Sequence, residues 1–406
     1  MSQCNVCQNE LTKPIYSSGM PHSLTSLCDI IPGYTMVYFC TCCGHVQTNQ
    51  LENTDQFYDT DYKILIDSED EDQLYAIKDG VKIYRGEHQA NTVLSKVDIP
   101  RGAKILDYGA AKGHTIRKLL EKRSDLIPHV FDVSDMYKSF WDKFVPSSNQ
   151  ACYETPASWN GRFDLITSFY VAEHVVNLES YFLAITNLLA PGGTLFFTVP
   201  NILANVADFL VVDHVNHFTW ASLRNLLAGL ELENITIDDK SHDSAFVVTA
   251  RKPQEEFYRL KVFAPENQQN LWTASDEAGN PHLQLKHTID RMANYWRRAQ
   301  QEIVNFERSR SKEEPAAVYG SGFYGAYITS CLEQPESVSH YLDANPYRQG
   351  KQLFGKQVIA PGMLPDSTRL IYVGLNPRIA KEAMARVPGW EHRSPDFFFL
   401  PELTIA

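Results

Sequence analysis

The chain has 406 residues, 44% of them hydrophobic and 21% charged, a profile that fits a soluble globular protein with room for two or three domains. Its 37 Lys and Arg against 49 Asp and Glu leave a formal net charge of −12, which argues against broad nucleic-acid binding. No run approaches the ~18 consecutive apolar residues of a membrane span, and Met1-Ser2-Gln3-Cys4 opens without the pattern of a secretion signal, so the expected setting is cytoplasmic with no membrane partner.

Six of the eight cysteines lie before residue 44. Cys4-x-x-Cys7 and Cys40-x-x-Cys43-Gly44 form two knuckles separated by 32 residues. Each two-residue gap lets one tight turn offer two thiolates, and four thiolates close a tetrahedral zinc shell. With no open coordination position, such a metal is structural. Unliganded buried thiols are the alternative reading, and Cys28 and Cys42 are left over. The run Asp67-Ser68-Glu69-Asp70-Glu71-Asp72 reads as a solvated loop or helix start.

The central region is entered through a helix expected over 76–96. Strand one, Lys104-Ile105-Leu106-Asp107-Tyr108, runs into Gly109-Ala110-Ala111-Lys112-Gly113 and a helix over 114–122. Strand two, over 128–134, carries Asp132 near its carboxyl end, 25 residues after Asp107. A buried strand over 163–168 leads to a helix over 181–189, and Pro191-Gly192-Gly193 turns into a strand over 194–199. Two last strands, 235–239 and 245–250, are separated by a short polar turn, as in a hairpin. Parallel crossovers that close in an antiparallel hairpin point to a class I S-adenosylmethionine (SAM) methyltransferase rather than a nicotinamide-binding fold.

In that reading Gly109, Ala111 and Gly113 let the backbone approach the cofactor. Asp107 orients the loop or the cofactor's amino group, and Asp132 accepts the ribose hydroxyls. Phe169 and Tyr170 follow the next strand and either line the methyl-transfer face or pack in the core. Methyl transfer needs an aligned acceptor, and a base where a proton must leave. The candidates are His174 in Ala172-Glu173-His174-Val175, and Asp213, His214 and His217 in Asp213-His214-Val215-Asn216-His217-Phe218. Asp213-His214 offers a carboxylate–imidazole pair. Capping or packing is the alternative for each histidine.

Beyond residue 253, apolar positions Leu285, Ile289, Met292, Trp296, Ala299, Ile303 and Phe306 recur four and three apart, the stripe of an amphipathic helix over 283–306. It packs on its own chain or on a partner's helix. A third unit begins near Ala316, where Ala316-Ala317-Val318-Tyr319 precedes Gly320-Ser321-Gly322-Phe323-Tyr324-Gly325, with Asp343 after a second strand. By pattern this is a dinucleotide fingerprint, which would make an NAD-dependent oxidoreductase the competing enzyme class. A phosphate or nucleotide part of a substrate at that helix start is the other use of the loop.

The order of a four-cysteine segment, a SAM domain and a compact Rossmann-like unit resembles the sugar C-methyltransferase family. Phe163-Asp164-Leu165-Ile166, Glu173-His174-Val175, Leu189-Ala190-Pro191-Gly192-Gly193, Val199-Pro200-Asn201 and Asp343-Ala344-Asn345-Pro346 also match. The resemblance implies an α/β protein: a seven-stranded class I SAM-methyltransferase (Rossmann-like) domain with a C-terminal antiparallel hairpin (75–253). A small zinc-binding segment (1–74) and a helical connector with a Rossmann-like substrate domain (254–406) would flank it. It further implies a nucleotide-linked keto-deoxysugar as small-molecule substrate, methylated at carbon through an enolate, by a monomer or homodimer. The family's Tyr-His-Glu-His segment corresponds here to Val211-Val212-Asp213-His214, followed by His217-Phe218: His214 is kept, Asp213 shortens the acid and Val211 replaces the tyrosine. Tyr58 and Tyr62 are present after the cysteine region, with Ile64 where another aromatic residue is usual. These departures leave methylation of oxygen or nitrogen on another metabolite as the alternative.

Overall fold

In the computed structural model of the chain the described residues are 2–50, 72–78, 80–254, 281–310, 314–387, 390 and 395–403. Tyr58, Tyr62, Ile64 and the acidic run as far as Glu71 lie outside them. The chain divides into two compact units. One comprises Met1–Glu10, Cys40–Asn205 and Val215–Thr273; the other comprises Leu11–Phe39, Val206–His214 and Ala274–Ala406. The N-terminal segment thus contributes to both.

In the first unit the main elements in chain order are β1 (Val46–Thr48), β2 (Leu74–Lys78), β3 (Val81–Tyr84), α1 (Arg85–Lys96), β4 (Lys104–Tyr108), α2 (His114–Lys122), β5 (Ile127–Asp132), β6 (Gln150–Cys152), β7 (Phe163–Phe169), α3 (Leu178–Leu188), β8 (Leu189–Pro200), β9 (Asn216–His217), α4 (Trp220–Ala228), β10 (Glu233–Asp238) and β11 (Ala245–Arg251). Seven strands form one sheet in the order β6-β5-β4-β7-β8-β11-β10. The five strands from β6 to β8 are parallel, and β11 runs antiparallel to both β8 and β10. This is the class I SAM-methyltransferase sheet, with its closing hairpin where the sequence places it.

The parallel strands are apolar because both faces are covered. Ile105, Val130, Leu165, Phe196 and Val247 meet Ala90 and Val93 of α1 and Ile116 and Leu119 of α2 in one core. Full burial of each such aliphatic side chain stabilises by about 1.5–3 kcal/mol. Helix starts are locally encoded: the Asn177 side chain accepts the amide of Ser180 at 2.9 Å, and Thr219 and Ser222 form a reciprocal capping box on α4.

Two local expectations are corrected. The helix expected over 76–96 begins only at Arg85; β2 and β3 form an antiparallel hairpin before it, turned by Gly80 at φ +79°. Pro191-Gly192-Gly193 does not separate a helix from a strand. It lies inside β8, which starts at Leu189 and shifts register against β7 between its pairings of Phe163 and Leu165. Gly193 is tight there: a Cβ would lie 2.6 Å from the Phe163 carbonyl oxygen.

From residue 281 the main elements of the second unit are α5 (Pro281–Arg308), β12 (Ala316–Tyr319), α6 (Phe323–Cys331), β13 (Val338–Leu342), β14 (Gln352–Leu353), β15 (Lys356–Ile359), β16 (Leu370–Val373) and β17 (Asp396–Phe399). They build a second sheet, β14-β15-β13-β12-β16-β17, parallel except for the β14–β15 pairing. The apolar stripe of α5 is buried on its own chain: Trp296 packs edge-on to Tyr327 at 4.7 Å and donates its indole N–H to the Val206 carbonyl at 3.2 Å. No described helix is long and apolar enough to cross a membrane.

Candidate active site and metal centre

The loop after β4 lies at the carboxyl edge of the parallel strands. Gly109 and Gly113 take φ of +82° and +74°, and Ala111 joins them at +44°, a region that favours glycine. The amides of Gly109 and Ala110 both donate to the Phe131 carbonyl, at 2.8 and 2.9 Å, which closes the loop onto β5. Asp132 accepts the Ala111 amide at 2.8 Å and the Ser134 amide at 3.3 Å. Burial pushes this carboxyl up, while those amides hold it down. Two N–H donors leave a carboxylate with acceptor capacity. A short-side-chain loop with a buried acceptor beside it suits the adenosyl moiety of SAM.

Asp107 is buried inside β4, and its Oδ1 accepts the Thr167 hydroxyl at 2.8 Å. Burial drives its pKa up to about 7. It faces Thr167 of β7 rather than the loop's own amides. Phe169 is half-buried, with its ring 5.7 Å from Phe196, and packs against the sheet core.

Beside this loop the fold assembles a cluster in which sequence pattern singled out only Tyr170. Tyr170 follows β7 with φ +56°, strained for an aromatic residue. Its hydroxyl lies 3.1 Å from Nδ1 of His242, in the turn between β10 and β11. The Arg85 guanidinium sits 3.9 Å above its ring. Tyr75 of β2 stacks on His88 of α1 at 3.8 Å, and His242 meets both edge-on. Burial lowers the pKa of His242 to about 4 and also lowers that of His88, which disfavours the charged imidazoles. Its members come from four separated segments, which no local pattern connects.

The proposed bases are placed differently. His174 ends the 3-10 turn Ala172–His174 after β7, and His217 is fully buried in β9, paired with Val46 of β1. Asp213 and His214, both in the second unit, engage different partners. The Asp213 carboxylate accepts the amide and hydroxyl of Ser26 at 2.7 and 2.6 Å, whereas Nδ1 of His214 lies 2.6 Å from Oδ1 of Asp208. Adjacent side chains diverge along the chain, and Asp208, 1% exposed, arrives from the preceding 3-10 turn Val206–Leu210.

The two cysteine knuckles converge. Sγ of Cys4 lies 3.5 Å from that of Cys43, Cys7 and Cys40 are likewise 3.5 Å apart, and all four sulfurs lie within 4.8 Å of one another. A tetrahedron with Zn–S bonds of ~2.3 Å has S–S edges of ~3.8 Å, so the donor set fits zinc. The knuckles are alike: the amide four residues after each first cysteine returns to that cysteine's carbonyl at 2.9 Å, from Gln8 at φ +60° and Gly44 at φ +73°. Cys42 and Cys28 stand outside the cluster.

Residues 86–237 match a family model described as a methyltransferase domain. That stretch is therefore similar to a methyltransferase domain. Among solved structures it is similar to a CurJ carbon methyltransferase (15% identity over 41% of this chain and 54% of that one, TM-score 0.34). It is also similar to a SAM-dependent methyltransferase from Mesorhizobium loti (15% over 41% and 98%, TM-score 0.32) and to human N-acetylserotonin methyltransferase in complex with SAM (15% over 41% and 52%, TM-score 0.34). The matched stretch thus spans about half the length of the first. No curated protein matches the sequence.

The 320–325 motif uses its glycines internally. A Cβ on Gly325 would lie 1.9 Å from the Gly320 carbonyl oxygen, and one on Gly320 would lie 2.3 Å from that of Gly374. Oδ2 of Asp343 accepts both the amide and hydroxyl of Ser321, at 3.1 and 2.6 Å, and Oδ1 accepts the Asn345 amide at 2.8 Å.

Proposed function

We propose that this enzyme is a SAM-dependent methyltransferase of a nucleotide-linked keto-deoxysugar, acting at carbon. The observation that carries the cofactor assignment is the loop at Gly109, Ala111 and Gly113, closed by the Ala111–Asp132 hydrogen bond. Bound SAM supplies an electrophilic methyl group. Gly109 and Gly113 admit the cofactor, and Asp132 holds its ribose. Zinc at Cys4, Cys7, Cys40 and Cys43 is structural in this reading. The protein works on a small molecule in the cytoplasm, as monomer or homodimer, without nucleic acid.

Carbon methylation beside a ketone requires removal of an α-proton. A histidine whose Nδ1 is engaged by a buried carboxylate presents Nε2 as the base, and the Asp208–His214 pair has that form. Val211 favours a second reading, methylation of oxygen or nitrogen on another metabolite. It stands at the position of the family's tyrosine and is packed away, 5% exposed and bridged to Leu24. Incubation with SAM and keto-deoxysugar nucleotides should give S-adenosylhomocysteine and a carbon-methylated sugar. His214→Ala should abolish turnover with SAM affinity intact; unchanged turnover removes His214 from the mechanism. Absence of SAM binding by calorimetry would overturn the reading altogether.

A further inference from the structure

One side chain joins the cysteine knuckles to the turn beside the cofactor loop. Asn216 in β9 is fully buried. Its Oδ1 accepts from Nδ2 of Asn5 at 2.9 Å and lies 3.1 Å from Nε2 of His45. Asn5 sits between Cys4 and Cys7, and His45 follows Cys43 by two residues. On its other side, Nδ2 of Asn216 donates to the carbonyls of Ala172 at 2.9 Å and Val175 at 2.7 Å. The amide therefore uses two acceptor and two donor positions at once, which fixes its orientation. Flipping it would set its NH2 against the Asn5 donor and its oxygen against two carbonyls.

Those carbonyls bracket the 3-10 turn Ala172–His174. Val171, directly before the turn, presses on the cofactor loop: a Cβ on Gly109 would lie 2.4 Å from Val171 Cγ2. A continuous line of contacts thus runs from both knuckles through Asn216 to the turn, to Val171 and to Gly109. The neighbouring strand reinforces the knuckle end. The Asn5 amide donates to Gln47 Oε1 at 2.9 Å, Gln47 pairs with Asn216 across the β1–β9 ladder, and the Thr219 hydroxyl donates to the Gly44 carbonyl at 3.1 Å. If the knuckles rearrange, Asn5 and His45 move, and the turn loses its anchor.

We propose that Asn216 is a positioning residue through which the metal knuckles set the cofactor loop, so that zinc occupancy and SAM affinity are coupled. The proposal rests on the assignment of SAM and zinc above. Coupling between two binding sites is reciprocal: if zinc raises SAM affinity by some factor, SAM raises zinc affinity by the same factor.

The test uses the full chain with zinc bound. Zinc affinity is read by competition with a chromogenic chelator, with and without saturating SAM, and SAM affinity by calorimetry. In the native protein SAM should tighten zinc by about tenfold, within the range common for coupled sites. Asn216→Asp keeps the acceptor for Asn5 and His45 but sets an oxygen against two carbonyls. It should retain one zinc per chain, bind SAM about tenfold more weakly and show no effect of SAM on zinc affinity. A merely structural role would lower the melting temperature and leave the coupling factor unchanged. Native coupling in Asn216→Asp, or no coupling in a native protein that binds both ligands, overturns the proposal. A native protein that binds no SAM or no zinc instead refutes the ligand assignment. If Asn216→Asp does not fold, Asn5→Ala carries the same test from the half-buried knuckle side, with weakened coupling and retained zinc expected.

Discussion

The chain builds the strand–glycine loop–helix unit twice, and the glycines serve different ends. In the 109–113 loop the atoms crowding the missing Cβ positions are side chains, Val171 at 2.4 Å from Gly109 and Phe144 at 2.8 Å from Gly113. In the 320–325 loop they are backbone: Gly320, Gly325 and Gly374 lie directly on one another. The acids at the ends of the second strands differ too. Asp132 takes the amides of Ala111 and Ser134, whereas Asp343 takes two groups of Ser321 and the Asn345 amide. A third contrast lies two residues before the first glycine, where β4 has Asp107 and β12 has Val318. The same motif packs against side chains in one place and locks backbone on backbone at a strand–helix junction in the other.

The strongest way to break this comparison is to add a methyl group to each loop. Gly325→Ala should cost more than ~4 kcal/mol, because a carbonyl oxygen 1.9 Å away cannot yield. Loss of cooperative melting in the second unit would show it, and an unchanged melting curve would refute backbone packing there. Gly109→Ala should cost only about 1–3 kcal/mol, since Val171 can rotate at some strain, yet calorimetry should show SAM affinity reduced more than ~10-fold.

Exchanging the acids sharpens the same contrast with smaller effects. Asp132→Ala should weaken SAM binding roughly 10–100-fold, the worth of charged hydrogen bonds to two hydroxyls. Asp343→Ala should leave SAM affinity unchanged and lower the melting temperature by a few degrees. Equal losses of SAM affinity would mean that both loops serve the cofactor.

A pH-dependent effect concerns Asp107. Its folded pKa is up at about 7, against an ordinary value of 3.8. Between these values the unfolded chain releases a proton that the folded chain keeps. Stability therefore falls as pH rises from about 4 to 7 and stays lower above. Asp107→Asn lacks this loss, so its melting temperature relative to the native protein should rise between pH 4 and pH 8. A difference independent of pH would place the Asp107 pKa near its ordinary value in the folded protein.

Much of the central fold is legible because its signals are short-range. The helix over 114–122 and the strand Lys104–Tyr108 occupy the positions that apolar patterning assigns them, and the final hairpin follows from two alternating strands and a polar turn. The helix expected over 76–96 starts only at Arg85, because the residues before it pair as the β2–β3 hairpin instead. At the site, Cys4, Cys7, Cys40 and Cys43 are visible from spacing alone, because two identical knuckles repeat the same local geometry. Asp208 is not visible. Its partner His214 is six residues away, beyond the reach of any helical or strand period, and Asp213 beside it was the nearer carboxylate. The Tyr170–His242 contact, 72 residues apart, has no local signature at all.

By itself, then, the sequence determined most strands and helices of the central region, the spacing that lets four thiols meet, and the glycine-bearing loop after the first parallel strand. Those properties follow from periodicity, turn chemistry and ligand spacing, which act over a few residues. Only the tertiary structure decided which carboxylate holds His214, that Asp213 is held by Ser26, and that Asn216 binds both knuckles and the turn after β7. A buried polar group takes whichever partner the packed fold brings within about 3 Å, since leaving it unpaired is costly. The two glycine loops make the same point: their letters agree, and the atoms crowding each missing Cβ tell them apart.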